Sequence, residues 1–143
     1  MKSILKISLD DIKYNWNLIN TASNGKAAAV VKANAYGVGM IEVASVLLET
    51  GCNYFYVANI FEGLKVRKKF NSNKISIAIF EGYLEGNQKI YAENNLTPVL
   101  NNLDQLKRLK NFSTALTKQK AIINIDIGMN RLGLSKKERD FFS

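Results

Sequence analysis

Ala27-Ala28-Ala29-Val30-Val31-Lys32, running into Ala33-Asn34-Ala35-Tyr36-Gly37, is the stretch that decides the fold. Five apolar residues closed by one lysine read as a short buried strand whose charged end reaches the edge of a sheet. From Met40 the period changes. Met40, Val43, Ala44 and Leu47 fall at i, i+3, i+4 and i+7, which predicts an amphipathic helix, and Gly51 stands where a C′ glycine belongs.

The same alternation continues on both sides. Upstream, residues 7–20 (ISLDDIKYNWNLIN) place Ile12, Trp16 and Ile19 at helical spacing, with Asp10 or Asp11 available as N-cap. Downstream, Tyr54 to Ala58 reads as a strand and Phe61 to Phe70 as a helix weakened by Gly63. Ile75 to Phe80 is a strand, Leu84 to Asn94 a short helix, and Leu96 to Leu100 a strand in which Pro98 limits ladder bonds. Asp104 to Leu116 is a helix and Ala121 to Asp126 a strand. Uninterrupted apolar strands bounded by helices predict βαβ units and a parallel sheet buried on both faces.

Ser135-Lys136-Lys137-Glu138 matches the S-x-x-E capping box that opens a helix, with Phe141 and Phe142 as its first large apolar residues. A complete (β/α)8 barrel needs eight βα units and typically about 250 residues. The expectation is therefore an α/β chain forming an incomplete (β/α)8 TIM barrel of about five parallel strands. Residues 1–143 make one unit without linker or internal boundary, truncated at the C-terminus. An open sheet of this kind exposes its edge strands and should tend to self-associate.

Composition narrows the function. With 47% hydrophobic and 22% charged residues, the 143-residue chain has a globular balance. It has no apolar run of membrane-spanning length. Its first residues, MKSILKISLDD, lack the uninterrupted apolar core of an export signal, so a cytoplasmic protein is expected. The single cysteine, Cys52, fits a reducing compartment and reads as a small buried residue. A net charge of +8 raises nucleic acid as a partner, but the lysines are scattered. The densest cluster, Arg67-Lys68-Lys69, falls at a helix end where cations complement the macrodipole, so no nucleic-acid partner is expected. The chain contains no histidine, which excludes Ser-His-Asp and Cys-His catalysis and any His-ligated metal within it. No metal site is expected.

Lysine, tyrosine, arginine and carboxylates remain. Lys32 ends a strand of a parallel sheet, at the edge where barrel enzymes place their active sites. An amine held there can be desolvated and react with an aldehyde. Tyr36 brings a hydroxyl near the start of the next helix, and Gly37 and Gly39 leave the backbone open to a phosphate. By spacing alone, a lysine placed as Lys32 is usually a solvated strand terminus, and Gly37-Val38-Gly39 is more often a turn than a phosphate cradle.

Two motifs separate these readings. Val30-Val31-Lys32-Ala33-Asn34-Ala35-Tyr36-Gly37 resembles the cofactor-attachment signature of alanine racemases, and Ile125-Asp126-Ile127-Gly128-Met129-Asn130-Arg131-Leu132-Gly133 resembles that family's (I/V)DxGMxRLG strand and loop. Weaker agreement, in LDDIKYNWNLI near the start and in LTPVL with Gln105-Leu106, extends the resemblance over nearly the whole chain. It implies pyridoxal 5′-phosphate (PLP) carried on Lys32, which also acts as one of two catalytic bases. It implies Tyr36 on the cofactor phosphate and Arg131 beside the cofactor's phenolic oxygen. The implied reaction is interconversion of L- and D-alanine, which supplies D-alanine for peptidoglycan. The full-length family is homodimeric, with a C-terminal β-domain absent from this chain and a second base, a tyrosine, from that domain of the partner subunit.

The chain departs from the family at Val38, where histidine is usual, and at Asn124, where a carbamylated lysine frequently orients the arginine. Asn124 cannot carry a carbamate, which leaves Arg131 to some other partner such as a bound anion. Asp126, before a glycine turn, reads as a shaper of that turn. The residues leave open three functions. These are an alanine racemase whose fragment is weak or inactive without a complementing C-terminal chain, a PLP-dependent racemase of another amino acid, and a non-catalytic PLP-binding remnant.

Overall fold

The structure is a computed structural model that describes residues 3–112 and 119–140. Five strands, β1 (Ala29–Val30), β2 (Tyr54–Val57), β3 (Ser76–Ile79), β4 (Leu96–Leu100) and β5 (Ile122–Ile123), form one parallel sheet in chain order. Helix α1 (Leu9–Ala22) precedes it. The turn α2 (Lys32–Tyr36) and helix α3 (Met40–Glu49) lead to β2, and α4 (Ile60–Lys69) leads to β3. Next, α5 (Gln88–Glu93) precedes β4, α6 (Leu103–Phe112) follows it, and α7 (Lys136–Asp140) follows β5. This is the expected α/β order with shorter strands. The expected end of α6 at Leu116, and the apolar residues Phe141 and Phe142 beyond α7, lie outside the described residues.

The core is built where α3 and α4 cover the sheet. Phe55, Val57, Ile77, Ile79 and Leu96 are completely buried there against Ala44 and Val66. The opposite face is open at β1 and β2, with Val30 41% exposed and its neighbour Tyr56 only half-buried, so the expectation of a sheet buried on both faces is corrected. A closed barrel covers its inner face with the strands across its axis. Five strands in sequential order supply none among the described residues.

Local details correct the sequence reading in three places. The N-cap of α1 is Ser8, whose Oγ accepts from Asp11 N at 3.2 Å, while Asp10 and Asp11 occupy the first turn. Gly63, read only as a weak point of α4, has a packing role as well. A Cβ there would lie 2.5 Å from Ile79 Cδ1, so the glycine is what lets α4 sit close on β3. Arg67 is more than a cation at a helix end. Its buried guanidinium donates to the carbonyls of Asn94 (3.0 Å), Ser72 (2.6 Å), Ile75 (2.9 Å) and Asn95 (3.0 Å), the segments that enter β3 and β4. The capping box forms as read, with Ser135 N donating to Glu138 Oε2 at 2.8 Å and Glu138 N to Ser135 Oγ at 3.4 Å. Cys52 is buried, and burial pushes its thiol pKa up, as suits an inert packing residue.

The segment after Lys32 has a conformation that its residue types do not announce. Ala33, Asn34, Ala35 and Tyr36 have φ of 51°, 55°, 53° and 55°, so α2 is one left-handed turn made without glycine. Each such residue costs roughly 1–2 kcal/mol relative to a right-handed conformation. Four in succession persist only where the surroundings hold them.

Candidate functional site

Lys32 leaves the sheet at the carboxyl end of β1, just after Val31 N donates to Tyr56 O at 2.9 Å. Its Nζ lies 5.3 Å from the centroid of the Phe80 ring and 6.0 Å from that of Tyr36, both within cation–π range. Phe80 follows β3 and stacks on Tyr56 at 5.0 Å and 23°, which fixes the aromatic surface under the amine. Here the sheet edge opens into a cavity of ≈ 470 Å³ whose wall includes Lys32, Phe80, Asn101, Asn124, Met129 and Arg131. That volume lies in the range of small-molecule sites. A second depression of ≈ 530 Å³, between Glu85 and α6, is lined by charges of both signs and carries none of the expected residues.

Two of the three expected residues, Lys32 and Arg131, thus meet on one cavity. Tyr36 does not line it. It sits beside Lys32 with 67% of its surface exposed. Arg131 is held by a loop rather than by a strand. Asp126 accepts from Gly128 N and Asn130 N, both at 2.9 Å, so it shapes the turn as its position suggested. These two N–H donors hold its carboxyl below the usual carboxylate range. The loop returns to the sheet through Gly133 N on Asn101 O (3.1 Å) and Leu134 N on Asn124 O (2.8 Å). Gly133 has φ of 110°, and a Cβ on it would meet Asp126 N at 2.7 Å, so glycine is required at this close crossing.

Asn124 has a partner, and it is not Arg131. Its Nδ2 donates to Asn101 Oδ1 at 2.9 Å, and Asn101 Nδ2 donates to Phe80 O at 2.7 Å. Gln105 completes the row, with Oε1 accepting from Asn101 N at 2.9 Å and Nε2 donating to Glu81 O at 3.2 Å. These amides lock the carboxyl ends of β3, β4 and β5 together beneath the cavity. Among the described residues Arg131 forms no ion pair. Sequence reasoning missed Asn101 and Phe80. The signal was available, because both lie directly at a strand's carboxyl end, as Lys32 does.

Known proteins resemble this chain throughout. The sequence model of the family "Alanine racemase, N-terminal domain" matches residues 7–141. An alanine racemase of Cereibacter sphaeroides is 42% identical over 136 residues, which are 94% of this chain and 38% of that protein. The chain therefore spans about two fifths of the length of the curated relatives it matches. Among solved structures, alanine racemase from Bartonella henselae with covalently bound pyridoxal phosphate superposes with a TM-score of 0.88 at 31% identity, over 95% of this chain and 38% of that one. Histidine racemase from Leuconostoc mesenteroides superposes with a TM-score of 0.78 at 25% identity, over 92% of this chain and 36% of that one.

Proposed function

The chain belongs to the alanine racemase N-terminal domain family, and on that premise we propose that it supplies the cofactor half of a PLP-dependent racemase that interconverts L- and D-alanine. The observation that carries this reading is the meeting of Lys32 and Arg131 across one cavity at the carboxyl edge of the sheet. Residues 1–143 are assigned to the PLP-binding barrel domain, with the reaction placed in the cytoplasm. No helix among the described residues is long and apolar enough to cross a membrane.

The residues present fit the cofactor. A primary amine stands at the cavity mouth over an aromatic ring, Ile125, Met129 and Leu132 give a flat heterocycle apolar walls, and Arg131 offers a cation to an anionic oxygen. Bound PLP supplies an electron sink that makes an amino acid's α-proton removable. Lys32 would hold the cofactor covalently, and its freed Nζ would take or return that proton on one face of the substrate. Arg131 would face the phenolic side of the cofactor, and the Asn124–Asn101 amides keep the floor of the site rigid. The Tyr36 hydroxyl is assigned to the phosphate.

Racemisation needs a base on each face. Among the described residues the cavity wall offers one carboxylate, Asp126, whose oxygens serve the turn, and the resemblance to alanine racemases assigns the second base to a tyrosine of the family's C-terminal domain in a homodimer. The test is to add PLP to the purified chain, trap the adduct with borohydride and map the modified lysine by mass spectrometry. Label concentrated on Lys32 and lost in Lys32→Ala is the expected result. Label spread evenly over surface lysines would sink the assignment. Likeness to a histidine racemase favours a second reading, in which the substrate is another amino acid. Assaying the racemisation of several amino acids by the full-length protein separates the two.

A further inference from the structure

Helix α4 reaches across to the cofactor lysine's backbone. Glu62, in its first turn, accepts from Ala33 N with Oε1 and from Ala58 N with Oε2, both at 2.8 Å. Ala33 follows Lys32, and Ala58 follows the last residue of β2, so one carboxylate bridges the outgoing chain of two neighbouring strands. Glu62 is itself fixed, because its N–H donates to Asn59 Oδ1 at 3.0 Å in the helix cap.

We propose that Glu62 is a positioning residue for Lys32, acting as a clasp that holds the left-handed turn to the sheet and so aims the amine into the cavity. The proposal rests on Lys32 being the cofactor lysine. The other hydrogen bonds described for the turn stay within it or join it to the start of α3, its neighbour in sequence. Ala35 N donates to Val31 O at 2.8 Å, Gly39 N to Asn34 O at 2.9 Å, and Met40 N to Asn34 Oδ1 at 3.0 Å. These bonds shape the turn without placing it. The bond from Ala33 N ties it to an element distant in sequence, and the peptide plane it fixes carries the carbonyl of Lys32. A long flexible side chain magnifies any tilt of that plane at its tip.

A glutamate in a first turn is ordinarily explained by the helix macrodipole. That role does not require both oxygens to bind amides outside the helix. An ionised carboxylate accepts both bonds and makes each charge-assisted. Glutamine offers one acceptor oxygen and turns an N–H donor toward the other amide, so Glu62→Gln opens half the clasp at nearly constant volume.

The test reads position first, without cofactor. Lysines are reductively methylated with 13C-formaldehyde, and Lys32 is assigned from the Lys32→Arg spectrum. In the wild-type chain the Phe80 ring current shifts the Lys32 methyl signal away from the cluster of solvent-exposed lysines. In E62Q the signal should fall back into that cluster. The share of borohydride-trapped PLP on Lys32 should drop about tenfold, the loss expected for one charge-assisted bond.

A control destabilised elsewhere, Leu47→Ala in the buried face of α3, should leave the signal in place. If it moves the signal as far as E62Q does, the effect is general loosening and the proposal fails. It fails equally if E62Q melts like wild type with signal and label unchanged, or if the wild-type signal is never displaced. A displaced signal that E62Q abolishes, together with PLP label scattered over all lysines, would uphold the clasp while removing the cofactor assignment.

Discussion

The two ends of helix α4 do opposite things with the same chemistry. At its C-terminal end the guanidinium of Arg67 donates to four carbonyls of chain entering β3 and β4. At its N-terminal end the carboxylate of Glu62 accepts two amides of chain leaving β1 and β2. A parallel sheet presents strand starts along one edge and strand exits along the other, and the helix that crosses between them can close both. The Arg67 end is buried and remote from the cavity, while the Glu62 end is half-buried and next to it. One end should therefore govern whether the fold holds, and the other how the site is aimed.

The largest expected effect breaks the buried end. Arg67→Met strands four carbonyls and should cost roughly 3–5 kcal/mol in denaturant unfolding, since each unsatisfied buried group costs about 1–3 kcal/mol in isolation. Under conditions where the variant is still folded, its PLP label should stay on Lys32. Label scattered over other lysines would erase the division between the two ends. A smaller effect belongs to the Arg131 loop, which among the described residues has no helix side chain clasping it and depends on its own crossing. Gly133→Ala forces a side chain into a left-handed, overcrowded position and should lower stability by roughly 1–3 kcal/mol. A melting temperature equal to wild type would show that the loop yields at that crossing.

The smallest effect is a local titration. The pKa of Asp126 is lower in the folded chain than in the unfolded one, because Gly128 N and Asn130 N bind the ionised form. Its contribution is then complete above the ordinary carboxylate value of about 3.9 and disappears as pH falls through the lowered folded value. The amide resonances of Gly128 and Asn130 should move together with a midpoint below that ordinary value. A midpoint at or above it would mean the cap does not form in solution.

How much of this was legible depends on what each residue says alone. The βα order could be read because each strand is a short apolar run, and Ser135 with Glu138 announced their cap at the right spacing. Lys32 and Arg131 were found by resemblance, and Asp126 was read correctly as a turn shaper. Glu62 and Arg67 were illegible because first-turn acids and last-turn cations already have an adequate local explanation. Their actual partners, Ala33, Ala58, Asn94 and Asn95, become neighbours only when strands align. The left-handed turn was hidden for a related reason. Ala33, Asn34, Ala35 and Tyr36 lack the glycine that usually marks it, and the surroundings, not the sequence, impose it. The open face of the sheet could not be read either, because an apolar strand looks the same whether or not anything covers its far side.

Strand order and chain order coincide from β1 to β5. During synthesis, each strand that emerges from the ribosome finds its sheet neighbour already in place, and no later segment has to thread between earlier ones. Of these five strands, the one that ends in the lysine is laid down first and the one that leads into the arginine loop fifth. The cavity between them takes shape only when β5 has joined the sheet, so until then the growing chain carries the amine without the pocket's second side.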